Sequence, residues 1–537
     1  MRLITFLALI LSTTNAALAS YDEAVIRKDL SANELSAYVE QLTSNGQIIV
    51  DLNVQIVERR AVFDVASQVN EDKRPWLIQV NISDKEFRES SKRYKSDGFK
   101  NTVHRFIPNG REKLHSTVWV QKVETAASLK IPGGPLPVTG DHGKELSPLN
   151  DLLIKTLSDN YIPGATVAVA RDGEIIYERG FGYSDIDKKT PMNPDSVMRI
   201  ASISKPITAI AVLLLMEDGK LKLDDPAIDY LVRDKKYSLP KDADAAWSRV
   251  TIQHLLQHSG GWDREKSKDP VFELLEITRA LDLKKTARIS DIIKYQLSRP
   301  MDFEPGSSYA YSNFGYCLLG RVIEAASGQS YETFVTERIL QPCGMTQTRP
   351  GKTRLNDRAD DEVHYYMQKV KMYPAIWDVA PGNKSGKFES VAGPYGHWDL
   401  EIFDSHGGWT STASDLVRFA VALDSKTRPL VRSESLTLLK SPPSFKASDD
   451  VTWYGFGWSV RSISGIDDVN LWHTGLIAGT STILVKRSDN LTWAVLFNVN
   501  EAKDGETCST LIDSPMHTAV DESIPLLETG ELQKATP

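Results

Sequence analysis

Cysteine is scarce in this chain: three residues among 537, Cys317, Cys343 and Cys508. The number is odd and no two are spaced as metal ligands, which excludes a disulfide-built scaffold and a cysteine zinc site. Long apolar runs are absent after the first dozen residues, so nothing later in the chain reads as a membrane span. Positive charge is not in excess, with 63 Lys and Arg against 71 Asp and Glu and a net charge of −8. A general nucleic-acid binder would carry a basic face instead. There is no Gly-rich phosphate loop, and no G-x-S-x-G sequence of the kind an α/β-hydrolase uses. What remains is ordinary for a globular protein, 41% hydrophobic and 25% charged, with length for two or more domains.

The N-terminus carries the signs of a secretory signal peptide. Arg2 gives a positive start, residues 3–11 are apolar but for Thr5, residues 12–15 are polar, and Ala17-Leu18-Ala19 fits a small-x-small cleavage site. A signal peptide over 1–19 implies an exported protein, periplasmic or secreted. No cysteine follows the cleavage site, so no lipid anchor is expected. Residues 24–124 form a weak α+β repeat with a spacing near fifty residues. Each unit is a helix (31–45, then 83–97), a glycine (Gly46, Gly98) and two strands, with Asn109-Gly110 as a hairpin turn in the second. Residues 125–145, rich in Pro and Gly, read as a linker. A second domain spans 146–522, and 523–537 reads as a flexible tail.

Within that domain, Asp172-Gly173 joins two strand-like runs, three further strand candidates lie at 470–473, 480–486 and 492–498, and helical spacing fills the middle. Strands at both ends of a helical centre imply an α+β fold in which the early hairpin pairs with the late strands. Three segments carry chemistry. Ser202-Ile203-Ser204-Lys205 opens an apolar helix over 203–217, which puts Ser202 where N–H groups point outward and Lys205 on the same face. A partly buried Lys205 loses its charge and becomes a base for the Ser202 hydroxyl. Tyr311-Ser312-Asn313 stands where a turn-rich loop runs into a helix; a lysine nearby favours the Tyr311 phenolate, and Asn313 both donates and accepts. His473-Thr474-Gly475 ends a strand, and Gly475 allows a ligand close to the backbone. The N–H groups of Ser202 and Leu476 then make an oxyanion hole.

In this order the three segments resemble SxxK, YxN and K/H-T-G of the serine β-lactamase and penicillin-binding-protein superfamily, in its class C β-lactamase and DD-peptidase branch. Gly180-Phe181-Gly182-Tyr183, His406-Gly407-Gly408-Trp409 and Ser411-Thr412-Ala413-Ser414-Asp415-Leu416 look like the same family. The resemblance implies Ser202 as nucleophile, Lys205 as its base or proton partner, Tyr311 as second acid or base and His473 in the electrostatic position. It assigns substrate contacts to Asn313, Thr474, Gly475 and Leu476. Histidine stands where efficient lactamases carry a lysine facing the substrate carboxylate, which turns the expectation toward a peptidase, amidase or esterase working through an acyl-enzyme. The alternative is an inactive peptide- or cell-wall-binding protein on the same fold. A small-molecule or peptide substrate is implied, with no cofactor, metal, nucleic acid or integral membrane segment. The second N-terminal unit, with Phe87, Tyr94, Gly98 and Val118-Trp119-Val120, resembles the tandem-repeat domain of polyglycine hydrolases and related exported bacterial proteins. His254-Leu255-Leu256-Gln257-His258 has the histidine spacing of a zinc protease but Leu255 where the glutamate belongs, so it reads as a structural helix. Trp262, Trp398 and Trp409 sit in glycine-containing stretches, lining a cleft or packing under loops.

Overall fold

The computed structural model describes residues 25–57, 60–70, 75–96, 99–109, 112–121, 129–140, 148–233, 237–241, 243–369, 372–377, 390–447 and 450–528. The signal-peptide stretch 1–19 lies outside them, as do parts of the 125–145 segment. The chain divides near Glu124 into two compact units.

The first unit runs β1 (Val25–Leu30), α1 (Ala32–Ser44), β2 (Gln47–Val57), β3 (Arg60–Val69), then β4 (Trp76–Ser83), α2 (Asp84–Ser96), β5 (Phe99–Asn109), β6 (Glu112–Gln121). Each half forms an antiparallel sheet, in the orders β1-β3-β2 and β4-β6-β5. Each half therefore begins with a strand that the sequence reading did not include. The reason is visible in β1: Val-Ile-Arg-Lys-Asp-Leu is exposed nearly throughout, so no apolar alternation marks it. Ser31 starts α1 with a capping box: its hydroxyl accepts from the Glu34 N–H, and the Glu34 carboxylate accepts from the Ser31 N–H at 2.8 Å. Leu35 and Leu42 of α1, Leu52, Phe63 and Val65 of the first sheet and Val118 of the second share one core.

The second unit is built on an antiparallel sheet of nine strands among the described residues. It uses β7 (Val138–Thr139), β8 (Gly164–Arg171), β9 (Glu174–Asp185), β10 (Thr190–Pro191), β11 (Thr452–Tyr454), β12 (Ser459–Ile463), β13 (Ile466–Ile477), β14 (Thr480–Lys486) and β15 (Leu491–Phe497). The order is β10-β9-β8-β15-β14-β13-β12-β11, with β7 also on β9. The early hairpin thus meets the late strands at β8 and β15, Ala165 opposite Phe497 and Arg171 opposite Leu491. Every residue of β14 and β15 is buried. Their side chains alternate between two cores: Leu484, Ala494 and Leu496 face one, Ile483, Val485, Trp493, Val495 and Phe497 the other. Period-two alternation with both faces apolar is what a helix layer on each side demands.

One layer holds α3 (Pro148–Asn160) and α7 (Cys508–Glu528). The other holds α4 (Ser204–Glu217), α5 (Asn313–Ser327) and α6 (Ala413–Ala422). Two segments differ from the sequence reading. Val138 pairs with Phe181 and Thr139 with Gly180, so this part of the 125–145 stretch joins the sheet. The last helix continues to Glu528, into the stretch read as tail; its two internal prolines, Pro515 and Pro525, had hidden it. All three cysteines are free thiols, two of them buried.

Candidate active site

α4 is apolar on all sides, and its residues 204–215 are all buried, so it runs through the middle of the domain. A 3₁₀ turn, Ala201–Ile203, precedes it. Ala201 has φ +47, a left-handed value that costs a non-glycine residue about 1–3 kcal/mol. Neighbours fix this strained turn. The Thr482 hydroxyl donates to the Ile200 carbonyl at 3.1 Å, and the Thr480 hydroxyl donates to the Arg199 carbonyl at 3.1 Å. Arg199 is itself buried, its guanidinium 4.4 Å from the centre of the Tyr365 ring. Pro206 falls in the first turn of α4, where its missing N–H is least costly.

Lys205 has no exposed surface. Its Nζ lies 3.0 Å from Ser202 Oγ, 2.8 Å from Asn313 Oδ1 and 2.8 Å from the His406 carbonyl oxygen. Burial drives the ammonium well below its ordinary range, more strongly than the nearby Asp269 raises it. A neutral amine has two N–H bonds and one lone pair. The two carbonyl-type oxygens accept only, so they take the two N–H groups, and the lone pair is left facing the Ser202 hydroxyl. Ser202 itself is half-buried, open to the cleft.

Asn313 is the first residue of α5, and the helix cap is Ser312, whose hydroxyl accepts from the Gly315 N–H at 3.1 Å. The Asn313 side chain is thereby free to accept from Lys205. Its backbone N–H donates to Asp269 Oδ2 at 2.7 Å. Burial raises the Asp269 carboxyl, against the pull of two backbone N–H groups and Lys205. Tyr311 lines the cleft together with Ser202, and its ring centre is 4.9 Å from Lys205 Nζ. The expected phenolate is not favoured. Burial raises the Tyr311 hydroxyl, and a neutral lysine supplies no charge to offset that, so Tyr311 is a phenol.

On β13, His473 is buried and neutral. Its Nδ1 donates to the Thr474 carbonyl at 2.7 Å, which leaves Nε2 to accept from the Tyr454 hydroxyl at 2.9 Å. Thr474 and Leu476 are exposed and line the cleft. Gly475 faces the other way, onto the Ser202 turn. A Cβ there would meet the Ile200 carbonyl oxygen at 2.2 Å and Thr482 Oγ1 at 2.3 Å. The partner strand β12 begins at Ser459, opposite Trp472, so β13 beyond Trp472 has no strand on that side among the described residues.

Together these groups border a cleft of about 510 Å³, within the range of small-ligand sites. It brings together Ser202, Tyr311, Asn313, His473, Thr474 and Leu476, with Lys205 behind Ser202 and Gly475 beneath. The sequence reading missed its aromatic wall, Phe272, Tyr309, Phe403 and Tyr454. Of the tryptophans considered, Trp262 and Trp409 are core residues, Trp262 packing on Trp247 and Phe314. The two histidines of the zinc-like spacing do not share a helix face. The helix ends at Leu256; His254 completes the cap with Thr251, and His258 follows with φ +55, inside the rings of Tyr311, Tyr316 and Tyr454. Ser312 N–H donates to His258 Nδ1 at 3.2 Å.

This burial has a consequence for acid stability. Burial pushes His473 down to about 3 from an ordinary 6.5, and His397 down to about 4. Between pH 6.5 and 3 the unfolded chain binds a proton at position 473 that the folded chain refuses. Stability is therefore complete above pH 6.5 and is lost as pH falls toward 3, by on the order of 5 kcal/mol from this residue. The melting temperature of wild type should drop steeply from pH 6.5 to 4, and His473→Gln should flatten that drop in a thermal-shift titration. Parallel curves would disprove the linkage.

The helix-flanked antiparallel sheet, closed by strands from both ends of the domain, is the β-lactamase/transpeptidase fold. The chain belongs to the β-lactamase family, whose sequence profile matches residues 149–515, and it is a serine hydrolase. It is 29% identical to penicillin-binding protein 4* of Bacillus subtilis over 68% of this chain and 74% of that protein. It is 35% identical to esterase EstB of Burkholderia gladioli over 41% of this chain and 54% of the esterase, so it spans about half of that relative. Among solved structures, EstCE1, described as a hydrolase with promiscuous acyltransferase activity, superposes with a TM-score of 0.54 at 20% identity. That match covers 70% of this chain and 97% of the other.

Proposed function

We propose that the protein is an exported serine hydrolase that cleaves an amide or ester through an acyl-enzyme on Ser202. The observation that carries this reading is the environment of Lys205 Nζ, where two acceptor oxygens leave the lone pair for Ser202 Oγ. Ser202 loses its proton to Lys205 as Oγ bonds to the substrate carbonyl carbon. The carbonyl oxygen collects negative charge between the N–H groups of Ser202 and Leu476. Tyr311, a phenol, gives its proton to the departing nitrogen or oxygen, and the Lys205 ammonium restores the phenol. Water then attacks the acyl carbon as Lys205 takes its proton; the bond to Ser202 Oγ breaks, the acid departs, and Lys205 returns the proton to Ser202.

Asn313 holds Lys205 and faces the substrate. His473, Thr474 and Leu476 form the wall along which the substrate lies. A neutral His473 offers no cation to a lactam carboxylate, which favours peptidase, amidase or esterase work over efficient lactam hydrolysis. Export rests on Arg2, the apolar stretch 3–11 and Ala17-Leu18-Ala19.

A fluorophosphonate probe read by intact mass tests the core of this. Wild type should gain one adduct and Ser202→Ala none. Absence of an adduct on wild type, under conditions that label a related hydrolase, would sink the acyl-enzyme; an adduct persisting on Ser202→Ala would move the nucleophile elsewhere.

A further inference from the structure

We infer that Arg264 binds a carboxylate of the substrate and so selects acidic acyl donors. The inference rests on the hydrolase reading above. Among the described residues that line the cleft there is no Asp or Glu, and Arg264 alone brings a permanent charge to its surface. The other basic group of the site, Lys205, is wholly buried behind Ser202, and burial drives its ammonium well below its ordinary range. His473 is neutral as well. The cleft therefore carries a single positive charge against an aromatic wall that includes Phe272, Tyr309 and Phe403.

The position of that charge is fixed. Arg264 opens a one-turn helix, Arg264–Ser267, behind Asp263, whose N–H donates to Asp302 Oδ2 at 2.8 Å. The guanidinium carbon stands 5.2 Å from the centre of the Tyr311 ring. Tyr311 in turn lines the cleft beside Ser202. The charge is thus one aromatic ring away from the reacting oxygen, and its field reaches Lys205, His258 and Tyr311. Among the described residues its ion-pair partner is Glu265, at 3.4 Å, with side chains 48% and 83% exposed. A pair of exposed neighbours is weak and leaves the guanidinium available. The guanidinium fork matches a carboxylate with two parallel N–H···O bonds, stronger than neutral ones, and the apolar wall strengthens them further.

If Arg264 only stacks on Tyr311, its loss affects charged and neutral substrates alike, which is what the test separates. Full-length protein is assayed with two matched pairs of nitrophenyl esters. One pair carries a free carboxylate or its methyl ester on the acyl chain; the other carries the same two groups on the phenol. In at least one pair wild type should prefer the carboxylate, and in Arg264→Gln the ratio of the two kcat/KM values should fall tenfold or more. Arg264→Lys, which keeps the charge without the fork, should retain part of the preference, and added salt should shrink it in wild type. Equal losses on both members of each pair, or no wild-type preference in either, would overturn the assignment. Failure of every ester, together with the absence of a Ser202 adduct, would overturn the hydrolase reading instead.

Discussion

Lys205→Met is expected to lower kcat/KM by about a thousandfold while the protein stays folded, because general-base catalysis supplies roughly 10²–10⁴ of rate. Methionine fills the buried space with an apolar chain and removes the lone pair that faces Ser202. The cost to stability is the donors lost to Asn313 Oδ1 and the His406 carbonyl, on the order of 1–3 kcal/mol each. Lys205→Arg is the informative companion. A guanidinium keeps a positive charge at all accessible pH and cannot accept the serine proton. If lysine acted as a cation, arginine would preserve activity; acting as a base, it leaves arginine as inactive as methionine. A Lys205→Arg protein with a tenth or more of wild-type activity would refute the neutral-amine mechanism. The same logic fixes the sign of the pH profile. Burial lowers the folded-state pKa of Lys205, so activity is present above that pKa and is lost as acid protonates the amine. The acidic limb should remain in His473→Gln, since His473 is already neutral throughout.

Gly475→Ala should cost about a hundredfold in kcat/KM with every proposed catalytic side chain intact. The added methyl meets a backbone oxygen, that of Ile200, at 2.2 Å, and no side-chain rotation relieves it. Ile200 leads directly into the strained Ala201 and then Ser202, so the displacement falls on the reacting oxygen. A misplacement near 1 Å suffices for a loss of that size. Thr482 Oγ1, at 2.3 Å from the same methyl, is the hydroxyl that secures the turn. Steady-state kinetics alongside a melting curve separate the effects: the expected result is a large kinetic loss with a Tm drop of a few degrees. Wild-type kinetics would show that β13 and the Ser202 turn are less tightly joined than their packing indicates.

The sequence disclosed the parts of this arrangement that are local. Ser202 and Lys205 are three apart on one helix, and Tyr311 with Asn313 marks a loop entering another. The strand runs that become β8, β14 and β15 are equally legible, as is the pairing of early with late strands. The parts that escaped depend on distance along the chain. Lys205 meets Asn313 and the His406 carbonyl across more than a hundred residues. Asp269 follows a lysine in a polar stretch and looks solvated, yet it is buried and holds the Asn313 N–H. The Tyr311 phenolate failed as an expectation because it assumed a charged lysine close by; complete burial of both groups reverses the outcome. Tyr454, which holds His473, lies on a strand of three residues, Thr452–Tyr454, too short to show a period.

The pairing of β8 with β15 also sets when the molecule can form. Ala165 must wait for Phe497 before the central ladder exists, and the helix behind it comes later still. A nascent chain therefore carries its apolar β8–β9 hairpin and the whole of α4 without their partner strands until residue 497 has been made. Such long-range closure is slow and leaves sticky surface uncovered meanwhile. The central ladder of this domain thus closes only after more than three hundred residues of intervening chain have been made.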